Sequence, residues 1–305
     1  MSAGAVANIS PARAWILASR PATLPAAAVP VIVGAAAAVS EGARFNAGVF
    51  FITLLCALLI QVGTNFANDY SDFHRGADHE GRLGPVRVTQ SGLITQIAVK
   101  RGIIVAFGLA VLLGIALVWI GGVPILLIGA ASVIAGLAYT GGPFPFGYYG
   151  LGDVFVFVFF GLIAVSGTAY LQSGNWSTFP LLLSIPIGLI VTNILVVNNL
   201  RDLPTDVAAG KRTLATRIGD KATRTQYVLF LAISYAIPVA IALSDGRRRP
   251  LLLTLISLPL AFLLTKAVVS GTSGRELNPM LKKTGQLLLL YGVLLSAGAL
   301  IGRAA

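Results

Sequence analysis

Apolar positions in this chain come in long runs, without the strict alternation of a half-buried strand. The runs cover residues 22–39, 48–64, 103–120, 124–138, 151–171, 179–197, 227–243, 251–269 and 287–301. Crossing a hydrocarbon layer of about 30 Å takes roughly 20 apolar residues in a helix, so the pattern predicts nine membrane spans. The expected fold is therefore all-α: a polytopic membrane protein whose nine or so transmembrane helices form one bundle over residues 1–305. Only Gly121, Gly122 and Val123 separate the third and fourth runs. The first run is long for a signal-peptide core and no obvious cleavage site follows it, so it reads as a span.

Composition agrees. Hydrophobic residues make up 56% of the 305, charged residues 11%, and the mean hydropathy is +0.86. A soluble domain carries about a quarter charged residues, which argues against an ordinary soluble enzyme. The lone Cys56 lies inside an apolar run and excludes an intrachain disulfide or a cysteine-built metal centre.

The net charge of +11 could suggest nucleic acid until it is placed against the spans. Seventeen Lys and Arg fall before the first span or in the loops after spans two, four, six and eight, against five on the other side. Basic loops stay cytoplasmic, so the N-terminus and those loops are expected to face the cytoplasm. The basic excess is then mostly topological, and no nucleic-acid partner is expected. Arg247, Arg248 and Arg249 lie on the far side, against this rule.

Seven of the 11 acids lie in two of the cytoplasmic loops. One reads Asn65-Phe-Ala-Asn68-Asp69-Tyr-Ser-Asp72-Phe-His-Arg75-Gly76-Ala-Asp78, the other Asn198-Asn199-Leu-Arg201-Asp202-Leu-Pro-Thr-Asp206-Val-Ala-Ala-Gly210-Lys211-Arg212. Both set Asn-x-x-x-Asp at the end of an apolar helix. Residues four apart share a helix face, which aligns Asn68 with Asp72 and Asn198 with Asp202 and Asp206. Acids near membrane depth read as functional by default. Two facing oxygen clusters suit Mg²⁺, which takes one or two carboxylates with waters and substrate phosphates. Arg75, Arg201, Lys211 and Arg212 lie among the acids and could contact the outer oxygens of a diphosphate. The expected ligand has an anionic head and a long hydrocarbon tail.

These elements, about 130 residues apart, resemble the two aspartate-rich motifs of UbiA-type intramembrane prenyltransferases. Further stretches are similar to the 1,4-dihydroxy-2-naphthoate polyprenyltransferases of menaquinone synthesis: Arg20-Pro-Ala-Thr-Leu-Pro25, Gly84-Pro-Val-Arg87-Val-Thr-Gln90-Ser-Gly92, Tyr139-Thr-Gly-Gly-Pro143, Gly150-Leu-Gly-Asp153 and Asn198-Asn-Leu-Arg-Asp202. The likeness covers roughly residues 13 to 220. It implies that Mg²⁺ and basic residues draw the diphosphate from a polyprenyl diphosphate, leaving an allylic cation. The ring of 1,4-dihydroxy-2-naphthoate attacks that cation at its carboxyl-bearing carbon; CO₂ and a proton leave, giving demethylmenaquinone. Carried over by position, Asn68, Asp72, Asp78, Asn198, Asp202 and Asp206 would bind metal. Lys211 and Arg20 would contact diphosphate, with Arg201 the lesser candidate, and Asn65 belongs to the substrate-binding set. Tyr139 and Asp153 fall where ring-binding or base residues are expected. Many family members have Lys four residues after the tyrosine, where this chain has Pro143.

Other charged groups carry plainer readings. Asp69 points about 100° from the Asn68 face and reads, with Glu80, as solvated; so do His74 and His79. Asp220 suits a helix N-terminus. The segment 83–97 is partly apolar and is expected to lie over the first motif, within cap loops at about 70–101 and 201–222. Prenylation of 4-hydroxybenzoate or homogentisate is the alternative acceptor chemistry. An ion-coupled transporter is the remote one, since transporters place charges at mid-membrane in matching halves.

Overall fold

The computed structural model describes residues 9–75, 83–84 and 87–304, and all its regular elements are helical. Asp78, His79 and Glu80 lie outside the described residues. Eight helices are long and apolar enough to cross a membrane: α1 (Pro11–Ser40), α2 (Ala47–His74), α3 (Gln96–Ala138), α4 (Gly152–Ser173), α5 (Thr178–Ala208), α6 (Leu214–Ser244), α7 (Gly246–Val269) and α8 (Gly274–Arg303). The expected nine becomes eight because the third and fourth runs join in α3. Its 43 residues are far more than one crossing needs. At Gly122 the backbone turns to φ 65°, ψ −153°, a conformation open to glycine, and Pro124 follows. The two arms therefore supply two crossings by length.

Two differences in detail have local causes. Helix α1 begins 11 residues before the first apolar run, because Ser10 caps a short helix Pro11–Ser19 by accepting from Arg13 N–H, with Pro11 in the first turn. Its small face, Ala14 and Ala18, packs with Phe66, Val88 and Ile94. Arg13 and Arg20 hide this helix from a count of apolar runs. The first half of α7, Gly246–Ser257, is 3₁₀ rather than α-helical. At its start Arg248 stacks on the Phe179 ring, 3.8 Å from its centroid, and bonds Ser40, which ties the three-arginine run to α1 and α5.

Successive helices run up and down. One end joins the helix connections through Arg75 to the Thr140 and Gly142 carbonyls, Arg212 N–H to Tyr148 O, and Asn278 to Leu83 O. The opposite end joins Asn46 to Gln172, Glu41 to Ser177 and Ser40 to Arg248. At the centre stands α5, with 78% of its apolar window buried against 22% for α2 and α3. Lipid tails are as apolar as Leu, so such helices associate by close packing through small residues. A Cβ on Gly161 would lie 2.7 Å from Gly188 Cα, so α4 and α5 touch backbone to backbone. This contact falls in the π-helical turn Phe157–Ile163 of α4; such turns re-aim the side chains around them.

Candidate active site

A cavity of about 700 Å³ opens among α1 to α5 and runs from the loop-rich end into the apolar bundle. One stripe of α2 lines it: Thr53, Cys56, Ile60, Gln61, Thr64, Asn65, Asn68 and Asp72. The spacing of three and four keeps these on one helix face, and polarity rises along it towards the helix end. On α5 the stripe Val191, Ile194, Asn198, Asp202, Thr205 and Asp206 does the same. Asn68, Asp72, Asn198, Asp202 and Asp206 thus share the polar end of one cavity. Below them the walls are apolar: Leu117, Ile125, Phe155, Phe159, Phe160 and Leu171 among others.

Both stripes carry neutralised carboxylates. Asp72 accepts from Arg87 Nη2 at 2.8 Å and from the Tyr148 hydroxyl at 2.8 Å. Asp202 accepts two bonds from Arg201, 2.8 Å from Nε and 2.6 Å from Nη2. Asn68 Oδ1 accepts from Thr140 Oγ1 at 2.8 Å, and Asn198 Oδ1 accepts from Arg201 Nη2 at 2.8 Å. Asp206 lies 3.7 Å from Lys211 Nζ. A Schellman ending brings that lysine back. Gly210 takes φ 69°, its N–H bonds Val207 O, and Lys211 N–H bonds Asp206 O. Lys211 also sits over the Tyr148 ring, 4.6 Å from its centroid.

Arg20 also lines the cavity, and it is the one non-glycine residue at positive φ among the described residues, at φ 50°, ψ 70°. Backbone strain of this kind persists where surroundings over-determine it. Here Asn65 donates to Ser19 O and Thr23 Oγ1, and Gln61 donates to Thr23 Oγ1. Asn65, expected to hold substrate, thus anchors the turn that carries Arg20. Tyr139 lines the cavity too, its ring edge-on to Phe146. Burial raises its phenol above the ordinary range; the carboxylates of Asp153, Asp72 and Asp206 push the same way and Arg20 opposes them. The Tyr139 hydroxyl therefore stays protonated at neutral pH and can donate but not act as a resting base.

Four expected site residues do not line the cavity. Arg201 is 1% exposed and spends its guanidinium on Asp202, Asn198 and Asn278. Arg75 points to the carbonyls of Thr140 and Gly142, so it braces the loop after α3. Arg212 is exposed and joins the site region only by its backbone bond to Tyr148. Asp153 is buried behind Tyr139, where it accepts from Gln226 Nε2 at 3.0 Å. Asp69 reverses its expected exposure: it is 3% exposed, and Oδ2 accepts from Thr89 N–H and Oγ1 at 3.1 and 2.8 Å. His74 is exposed, as expected. Asp220 opens the straight part of α6 after the Gly219 break and pairs with Arg224.

Three residues of the site carry no signal in the spacing of the sequence: Arg87, Thr140 and Tyr148. Each comes from a loop, so no helical interval links it to an acid. Arg87 lies in the Gly84–Gly92 stretch, which by itself gives it no partner, and two adjacent tyrosines in a glycine-rich loop are the only signal for Tyr148.

At the polar end the donors are carboxylates and carboxamides, hard oxygens of the type Mg²⁺ prefers. No three His, Cys, Asp or Glu side chains gather in one place among the described residues. An ion there would share one or two carboxylates with water and ligand oxygens.

Comparison with known proteins follows the same lines. The model of the UbiA prenyltransferase family matches residues 27–285. The chain is 38% identical over 289 residues to the 1,4-dihydroxy-2-naphthoate octaprenyltransferase of Mycobacterium tuberculosis, covering 94% of this chain and 96% of that one. It is 36% identical over 302 residues to the protein of that name from Escherichia coli, covering 97% and 98%. Among solved structures, a UbiA homolog from Archaeoglobus fulgidus bound to GPP and Mg²⁺ superposes with a TM-score of 0.68 at 16% identity, covering 93% of this chain and 99% of that one.

Proposed function

Because the chain belongs to the UbiA prenyltransferase family, we propose that it moves a polyprenyl group from polyprenyl diphosphate to 1,4-dihydroxy-2-naphthoate, releasing CO₂ and diphosphate. The observation that carries this reading is the two-sided cavity: two carboxylate stripes at its polar end, an apolar chamber beneath. A diphosphate head and a hydrocarbon tail fill both halves. The names of the relatives supply the naphthoate acceptor and point to a long prenyl chain.

Asn68, Asp72, Asn198, Asp202 and Asp206 would hold Mg²⁺, with Asp78 as a sixth candidate. When bound, the ion neutralises charge that builds on the departing diphosphate. Arg20 and Lys211, both on the cavity wall, add positive charge where the leaving group sits, and preorganised charge of this kind counts for more away from water. The apolar wall excludes water from the allylic cation. Tyr139, protonated and at the base of the polar zone, donates a hydrogen bond that orients the acceptor ring. Asp153 holds its place behind that tyrosine. Ring attack forms the new C–C bond; the carboxylate leaves as CO₂ and the ring regains its electrons. The site faces the cytoplasm of a bacterial plasma membrane, where both diphosphate and the soluble acceptor arrive.

The test is an assay of purified protein with octaprenyl diphosphate, Mg²⁺ and each aromatic acceptor in turn, with mass detection. The expected product is the quinol form, demethylmenaquinol, since no step here removes electrons from the ring. Prenylated 4-hydroxybenzoate or homogentisate in its place would overturn the acceptor, and full turnover in EDTA would overturn the metal.

A further inference from the structure

The segment between the first motif and α3 touches both carboxylate stripes. Near its start, Leu83 O accepts from Asn278 Nδ2 at 3.0 Å, and Asn278 Oδ1 accepts from Arg201 Nη1 at 3.0 Å. Gly84 lies directly on the same guanidinium: a Cβ there would meet Arg201 Nη2 at 2.8 Å. Further along, Thr89 is clasped by Asp69, and Arg87 reaches from this loop to Asp72, with its Nε 3.6 Å from Asp69. Leu83, through Asn278, and Gly84 therefore bear on the arginine that covers Asp202, and Arg87 is itself the arginine that covers Asp72. The two arginines are nearly buried, and the carboxylates they cover are the two at the heart of the candidate metal site.

A guanidinium and a metal ion compete for the lone pairs of one carboxylate, and their like charges repel each other. Pairing also removes the penalty that two buried acids would otherwise impose on an ion-free cavity. We infer that residues 83–84 and 87–89 form a strap that holds Arg87 on Asp72 and Arg201 on Asp202 as stand-in cations, which yield the carboxylates when metal arrives together with diphosphate. Asp69 and Asn278 are the positioning residues that anchor its two ends. The strap makes the metal ion alone a poor ligand and metal with diphosphate a good one, since Arg87, once displaced, still lines the cavity where the diphosphate oxygens come to lie. This rests on the function proposed above.

The experiment compares the unmodified protein with Thr89→Val and Asn278→Ala, each of which loosens one anchor and spares every carboxylate. Mn²⁺ binding without diphosphate is read by electron paramagnetic resonance, and inorganic pyrophosphate binding in the presence of Mn²⁺ by calorimetry. A competing charge-assisted hydrogen bond corresponds to about tenfold in affinity. Both variants should bind Mn²⁺ alone about tenfold tighter, and Thr89→Val, which frees the loop that carries Arg87, should also bind pyrophosphate about tenfold weaker. Loss of structure would weaken both; such a parallel change, or no change, overturns the strap. On the unmodified protein, ¹⁵N-arginine spectra assigned with R87K and R201K should show two protected Nε–H signals that shift when Mg²⁺ and pyrophosphate are added together. Signals that stay in place also overturn it. If the unmodified protein binds neither Mn²⁺ nor pyrophosphate, the proposed function fails as well. Binding without the split defeats the strap alone.

Discussion

The end of α2 and the end of α5 carry the same Asn-x-x-x-Asp register but neutralise it in different ways. On α5 the counter-ion is the next residue in the chain: Arg201 folds onto Asp202 and Asn198 within a helix that is itself the centre of the bundle. On α2, a peripheral helix, Asp72 borrows its partners from outside, Arg87 from the following loop and Tyr148 from the loop after α3. The α5 stripe is therefore largely self-contained, whereas the α2 stripe is completed only when two loops close over it. An internal likeness between two motifs does not make them mechanically equivalent.

The widest effect tests what the two stripes have in common. Asp72→Ala and Asp202→Ala should each lower turnover about 10²–10³-fold, the usual loss when one charge-stabilising group is removed, read by product mass at saturating Mg²⁺. Unequal losses, with one variant near full activity, would break the symmetry of the pair.

Stability should separate them. Asp202→Ala leaves Arg201 buried with only two carboxamides, and breaking a buried pair costs roughly 3 kcal/mol. After Asp72→Ala, Arg87 keeps Asp69 nearby, so its melting temperature in detergent should fall much less. A larger fall for Asp72→Ala would reverse the comparison.

A smaller effect probes the borrowed partner. Tyr148→Phe removes one hydrogen bond to charged Asp72, about tenfold in affinity, and should raise the KM for polyprenyl diphosphate while leaving the melting temperature in place. Equal changes in KM and stability would make Tyr148 a packing residue only.

Tyr139 feels both stripes, and its test concerns shape more than size. Its raised phenol pKa means it is protonated throughout the range below the ordinary value of about 10. Tyr139→Phe should thus lower turnover by the same factor, about tenfold for one lost hydrogen bond, at every pH from about 6 to about 9. A loss that vanishes at high pH would show a phenol that ionises in this range.

Much of this architecture is legible in the order of residues alone. The nine apolar runs forecast the crossings, and the structure joins two of them into α3 across a glycine turn. Asn68, Asp72, Asn198, Asp202 and Asp206 can be aligned by spacing, because a helix converts a sequence interval of four into a shared face. Asp69 misleads for the same reason. Its angle from that face is right, but a loop 20 residues further on packs over it, and no local rule describes that loop. Arg201 reads as a ligand contact from its place among the acids, yet Asn278 and Leu83 draw it inward from parts of the chain far away.

What the sequence by itself determined is a membrane bundle, its alternating basic loops and two oxygen-bearing helix ends, since all of these follow from composition and the 3.6-residue period. Only the tertiary structure decided which cations sit on which acids, how far the apolar chamber extends and which loop side chains close the site. Those contacts join residues whose separation in the chain bears no relation to their distance in space, and burial, more than position, sets what each charge can do.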